Sequence, residues 1–276
     1  MIRANNIAIL TDFSLSDNYN GVMEGTIRRF NKDVNITYLS GNSKKFNVKS
    51  ASYLLYTGYR FFPRKTVFLV VVDPGVGTER DALLVKTRNY FFIGPDNGVL
   101  YPSIIEDGIV EIRKINNPKV FLSKEISKTF HGRDIFAVSA ALLSTGVETE
   151  AFGDVKSQND LYKYELKYYE KINYGLKTKV VYVDNFGNVT LGITSREFKV
   201  KENQIYEINV KGLKYKVTSK RTFGYGEENQ LIIYSNGYGF LEIGINKGSA
   251  YHTLKTSEGD EICLEDYTQG DSSPST

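Results

Sequence analysis

Cysteine occurs once in this chain of 276 residues, at Cys263, which excludes an intrachain disulfide and any zinc site assembled from thiolates. Such usage suits a reducing compartment. No apolar run approaches the ~20 residues that a membrane helix needs. The opening residues MIRANNIAILTDF lack the apolar core of a secretory signal, so a cytoplasmic protein with no membrane partner is expected. Neither sign of charge dominates. Lys and Arg number 35 against 32 Asp and Glu, a formal net charge of +3 that is too mild to demand nucleic acid or anionic lipid. Histidine is scarce, with only His131 and His252, and tryptophan is absent. Tyr and Phe are abundant, a compositional bias to which no function attaches. What is present, 41% hydrophobic and 24% charged residues, is the make-up of a globular protein with real cores, and the length suits two domains.

The order of elements predicts the class. IAIL at 7–10 reads as a strand running into Thr11, Asp12 and a polar SLSDN turn, and Val22, Met23, Thr26, Ile27 and Phe30 then recur at helical spacing. NITY at 35–38 is strand-like, Val48, Ala51, Leu54, Leu55 and Gly58 follow a helical period, and TVFLVVV at 66–72 has the unbroken apolar character of a buried parallel strand. A hairpin of ALLVKT and YFFIG, a strand at 109–115 and an apolar-faced helix over 134–145 complete this part. The spacing puts the helix N-cap at Asp134 and its stop at Gly146. Alternating β and α elements imply an α/β domain with a mostly parallel sheet, closing near residue 160. The charged, tyrosine-rich stretch 161–175 reads as a surface linker. From 176 to 267, short alternating strands split by Gly and Asn turns predict a small antiparallel β-barrel, and 268–276 (TQGDSSPST) reads as a flexible tail.

Chemistry concentrates at strand ends. VVVDPGVGTER, residues 70–80, carries β-branched residues into Asp73, a Pro-Gly turn and Arg80, and TFHGRD at 129–134 brings His131 ahead of the helix. Asp-Pro-Gly is also an ordinary turn tripeptide. In open α/β sheets, however, ligands bind outside the carboxyl ends of the strands, so an acid, a guanidinium and an imidazole placed there form a candidate site.

With TDFSLSDNY (11–19), IGPDNGVL (93–100), VDNFGNVT (183–190) and NGYGFLEIGINKGSA (236–250), these segments lie in the order found in the S-adenosylmethionine hydroxide adenosyltransferases, and the chain resembles that family from residue 7 to about 265. The family's relatives include the fluorinase and chlorinase. The resemblance implies an α/β domain, a β-barrel and a nucleoside site drawing on both, often completed by a neighbouring subunit of a homotrimer. It puts the catalytic Asp, Arg and His on Asp73, Arg80 and His131. Asp12 takes the place that grips the ribose hydroxyls, and Asp17 the place that holds the methionine ammonium. Phe46 takes the place of a side chain laid over the ligand, Asn188 reads the adenine edge with Asp184 beside it, and Asn246 shapes the adenine-binding backbone. Tyr238 stands where the fluorinase has an arginine for the methionine carboxylate, so that group is recognised differently here.

The implied reaction is hydrolysis of S-adenosylmethionine to adenosine and methionine, with no cofactor and no metal. A sulfonium leaves without acid assistance, so what the site supplies is an oriented water or hydroxide. Asp73 opposes halide capture, because two like charges ~4 Å apart at a protein's effective dielectric cost a few kcal/mol. The alternatives are a halogenase or a non-catalytic nucleoside sensor. A nucleic-acid binder is disfavoured by acidic residues interleaved with the lysines, and a metal hydrolase using Asp12, Asp73 and His131 by the lack of ligand spacing.

Overall fold

The computed structural model describes residues 4–173 and 175–267, and the expected tail at 268–276 lies outside them. The chain divides into two compact units, Met1–Glu165 and Leu166–Thr276.

The first unit runs β1 (Asn6–Thr11), α1 (Tyr19–Phe30), β2 (Asn35–Ser40), α2 (Val48–Gly58), β3 (Val67–Val71), β4 (Ala82–Thr87), β5 (Phe91–Pro95), α3 (Tyr101–Asp107), β6 (Ile109–Lys114) and α4 (Val138–Thr145). Its sheet has the order β2-β1-β3-β5-β4-β6. The pairings β1–β2, β1–β3 and β3–β5 are parallel, while β4 is antiparallel to both neighbours, so the sheet is mixed and mostly parallel as the α/β pattern predicts.

Period-2 alternation explains why the inner strands β1 and β3 are apolar nearly throughout. Ile7 and Ile9 of β1 and Leu69 of β3 point to a face covered by Met23 and Ile27 of α1 and Ala140 and Ala141 of α4. Ala8 and Leu10, with Phe68 and Val70, point to the other face, under Ala51 and Leu55 of α2 and Ile104 of α3. With helices on both sides, neither face of the central strands β1 and β3 is open to water, while the edge strands β2 and β6 are partly exposed.

The helix expected over 134–145 starts earlier. A π-helical turn, Gly132–Ala137, precedes α4, and His131 occupies the N-cap position. Asp134 is therefore not the cap. Its carboxylate is taken by the Ser127 backbone N–H at 2.7 Å and by Arg133 Nε at 2.5 Å, groups outside the helix's first turn and on the adjacent residue. Gly146 does end α4, in the left-handed region at φ 99°, with its N–H on the Leu142 and Leu143 carbonyls.

The second unit runs β7 (Tyr169–Ile172), β8 (Gly175–Val183), β9 (Val189–Thr194), β10 (Ile205–Val210), β11 (Leu213–Ser219), β12 (Leu231–Ser235), β13 (Phe240–Ile245), α5 (Ala250–Leu254) and β14 (Glu261–Asp266). The sequence reads 161–175 as a linker, and within that stretch β7 pairs antiparallel with β8. The strand order β14-β10-β11-β12-β13-β9-β8 closes through β14–β8 into a barrel. Its pairings are antiparallel except β11–β12, which is parallel, so the barrel is mixed. Between β10 and β11, Lys211 (φ 52°) and Gly212 (φ 83°) form a two-residue turn with both residues left-handed, the geometry that matches strand twist. Val180, Leu191, Ile208, Val217, Ile233, Ile243 and Leu264 fill the interior.

Candidate functional site

In the first unit the loops after β1 and β3 leave the carboxyl edge of the sheet and surround a cavity of about 360 Å³. Asp12, Asp17, Phe46, Asp73 and His131 all line it, together with Phe13, Tyr19, Lys45, Val76, Thr129 and Phe130.

The charged centre is built from the β3 terminus and the segment before α4. Arg80 Nε lies 3.0 Å from each oxygen of Asp73, and its Nη2 also binds Asp73 Oδ2. The same Nη2 lies 3.0 Å from His131 Nδ1. A guanidinium has only donors, so Nδ1 must present its lone pair, and the proton of the neutral ring sits on Nε2. The pKa of His131 is lowered, first by burial and then by the positive charge of Arg80, with Asp73 and Asp134 opposing. The imidazole is thus a neutral N–H donor at ordinary pH. The Asp73 and Arg80 side chains are only 4% and 10% exposed, and a pair this deep needs its geometry fixed, since breaking it strands a buried charge. The Phe136 ring supports the guanidinium, 5.3 Å from its carbon.

Asp12 is held differently. One oxygen accepts the Phe46 backbone N–H at 2.7 Å. Burial raises its pKa, backbone hydrogen bonds lower it, the Asp73 charge raises it and Lys45 lowers it. Phe46 stands in the left-handed region at φ 58° with 75% of its surface exposed, so the loop carries an apolar side chain at the cavity in a conformation few non-glycine residues adopt.

Two features of this cavity escape sequence reasoning. Asn20, buried, accepts from Thr11 Oγ1 at 2.7 Å and donates to the Ser14 and Gly41 carbonyls at 2.8 and 3.0 Å, tying both loops beside Asp12. Phe13, Tyr19 and Phe130 form an aromatic wall with ring centroids 5.2 to 6.0 Å apart. The first would require knowing which loops meet, while the second is hidden by the abundance of aromatics along the chain.

The second unit has its own cavity, about 1000 Å³, lined by Asp184, Asn188 and Asn246 with Phe186, Phe223, Tyr234, Asn236, Glu242 and others. Asp184 organises the DNFGN turn, accepting the Phe186 and Asn188 N–H groups at 2.9 and 2.8 Å and the Asn188 amide at 2.8 Å. Gly244 leaves room for the side-chain Oδ1 of Asn188, which a Cβ there would approach to 2.8 Å. Asn246 donates to the Gly226 carbonyl at 3.1 Å. Glu242, 8% exposed, accepts from Tyr234 Oη, Thr190 Oγ1 and Asn236 Nδ2 at 2.7 to 2.9 Å. In the apolar string FLEIGI it reads only as an acid on a strand, because β13 is buried on both faces and alternation assigns it none. Tyr238 is not among the residues lining either cavity, and its backbone N–H donates to Asn236 Oδ1 at 3.0 Å.

Among the described residues no group of three or more His, Cys, Asp or Glu is placed to share a metal ion, and no helix is long and apolar enough to cross a membrane.

The profile of the SAM hydroxide adenosyltransferase N-terminal domain matches residues 7–153, and that of the C-terminal domain matches 178–263. The chain is 33% identical to an (R)-S-adenosyl-L-methionine hydrolase of Methanocaldococcus jannaschii, covering 93% of this chain and 94% of that protein. It is 23% identical to a fluorinase of Nocardia brasiliensis, covering 92% and 94%. Among solved structures, that of an uncharacterized conserved protein from Thermotoga maritima superimposes with a TM-score of 0.87 at 38% identity, covering 94% of this chain and 99% of that one.

Proposed function

The chain belongs to the SAM hydroxide adenosyltransferase family, and we propose on that premise that it hydrolyses S-adenosyl-L-methionine to adenosine and L-methionine. The observation that carries this reading is the Asp73–Arg80–His131 cluster, opening on a cavity whose wall also holds Asp12 and Asp17. Three carboxylates against the single lining lysine, Lys45, suit a cationic substrate.

In the proposed mechanism Asp12 accepts the ribose hydroxyls and Asp17 the methionine ammonium, while Phe46 covers the ligand. Asn188 reads the adenine edge with Asp184 holding its amide, and Asn246 shapes the backbone around the base. Tyr238 lies outside both linings, so the methionine carboxylate is held by a group other than its side chain. A water between Asp73 and the Nε2–H of His131 is oriented at the ribose 5′-carbon. As its oxygen bonds to that carbon, the carbon–sulfur bond breaks and its electron pair neutralises the sulfonium. The water's proton passes to Asp73 and on to solvent. Arg80 balances the Asp73 charge and keeps Nδ1 occupied, so His131 can only donate to the oxygen. Charges cancel along this path, and the apolar wall of Phe13, Phe130 and Val76 favours that cancellation over separated ions. A cytoplasmic homotrimer, in which one working site draws its two residue sets from neighbouring chains, completes the proposal.

Reaction in labelled water tests the chemistry. The label is expected in the 5′-hydroxyl of adenosine, with no added metal or cofactor. Methylthioadenosine as product, or unlabelled adenosine, overturns it. A 5′-halo-5′-deoxyadenosine formed in chloride or fluoride points to the halogenase alternative, and nucleoside binding without turnover to the sensor.

A further inference from the structure

Something must fix the direction in which Asp73 leaves the sheet, and the ladder does not reach it. On the β1 side the last paired residue of β3 is Val71, and on the β5 side it is Leu69. Val72 lies beyond both, is 0% exposed, and its carbonyl belongs to the peptide that begins Asp73. A buried carbonyl at that point needs a donor. Asn97 supplies it, its Nδ2 lying 2.9 Å from the Val72 oxygen.

Asn97 is itself held. Its Oδ1 accepts the Val99 N–H at 3.2 Å, which fixes the amide orientation and aims Nδ2 at β3. The preceding Asp96 is anchored by Lys156 Nζ at 3.3 Å and by the Tyr162 N–H at 2.9 Å. The following Gly98 takes φ 92° where a Cβ would stand 3.0 Å from both Tyr162 and Tyr164. The PDNG turn reaches across from the end of β5 to the end of β3, and contributes no residue to the lining of the catalytic cavity.

We propose that Asn97 is a positioning residue for Asp73, acting as one extra rung of the sheet that sets the exit angle of the catalytic acid. The proposal rests on the reading that Asp73 acts in the reaction. Losing the rung frees the Val72–Asp73 peptide to rotate. A carboxylate displaced by about 1 Å keeps its charge beside Arg80 but no longer aligns the water.

The test uses Asn97→Ser and Asn97→Ala in the full chain, with binding-competent sites counted by adenosine calorimetry so that a reduced folded fraction does not imitate a slower step. Turnover per counted site is expected to fall at least tenfold, with adenosine affinity within threefold of native. Hydrogen exchange of the 72–80 backbone should quicken while β1 and α1 keep their protection. Turnover per site within twofold of native, or unchanged exchange in 72–80, overturns the proposal. The exchange arm needs no turnover, so a native protein that releases no adenosine sinks the hydrolase reading and still leaves the rung to be decided by exchange.

Discussion

Gly77, at φ 78°, faces the carbonyl oxygen of Lys128 so closely that a Cβ on it would lie 2.2 Å from that atom. The backbone of the turn that carries Asp73 and Arg80 thereby touches the backbone of the segment that leads to His131. Gly77→Ala is expected to combine a left-handed strain of about 1 kcal/mol or more with a clash that only a backbone shift relieves. Turnover should fall more than thermal stability does, because the shift separates Arg80 from His131. Melting curves and steady-state kinetics on one preparation check this, and a fully active alanine variant would contradict it.

Asp73→Asn is expected to lower kcat by roughly 10²-fold or more, the usual worth of a positioned acid–base group, while adenosine still binds. Asp12→Ala should mainly weaken binding, because ribose contacts exist in ground and transition states alike. Calorimetry with adenosine separates the two, and near-normal turnover in Asp73→Asn would remove this residue from the mechanism.

The two perturbed groups give opposite pH signatures. Burial pushes the pKa of Asp12 up from 3.8, so as pH falls it protonates before an ordinary carboxylate does, and adenosine affinity should begin to drop at a pH above 3.8. Since ionising Asp12 is disfavoured in the fold, it contributes stability that is lost as pH rises through its folded pKa, and Asp12→Asn should match or exceed the native melting temperature at pH 7. His131 has its pKa lowered from 6.5, so the unfolded chain takes up a proton first. Stability is then independent of this group above 6.5 and decreases below it. The rate should show no imidazole step near 6.5, and a His131→Gln variant should lose the part of the stability slope that begins just below 6.5. A kcat profile breaking at 6.5 in the native protein alone would contradict the neutral-donor assignment.

The trimer proposal makes a mixing prediction. Asp73→Asn and Asn188→Ala each damage one of the two residue sets. If neighbouring chains share a site, hybrids of the two inactive proteins should recover part of the native rate. Light scattering establishes the assembly, and no recovery in demonstrably mixed trimers would mean that chains do not complement each other.

Much of this was legible in the residues and some was not, for identifiable reasons. The strand ends at Asp12 and Asp73 show because an apolar β-branched run stops on an acid, and Gly146 ends its helix because a left-handed position favours glycine. The helix start is misread at Asp134, since a carboxylate ahead of an apolar run looks like a cap whether or not a loop N–H has claimed it. The parallel β11–β12 pairing follows from how the intervening loop returns, which no local periodicity records. In the PDNG turn the sequence marks a turn but not its reach, because the Val72 carbonyl becomes a partner only once β3 and β5 lie side by side.

The clasp of Arg80 on Asp73 and His131 also decides which compounds should block this protein. A guanidinium already committed to its own neighbours offers little to an anionic inhibitor, so phosphate or sulfonate groups bring no anchor to the cavity. Asp12 and Asp17 reward the reverse charge. A nucleoside carrying a protonated amine where the substrate has sulfur keeps the cation, has no departing group for water to displace, and should bind more tightly than adenosine by an amount that shrinks as salt is raised.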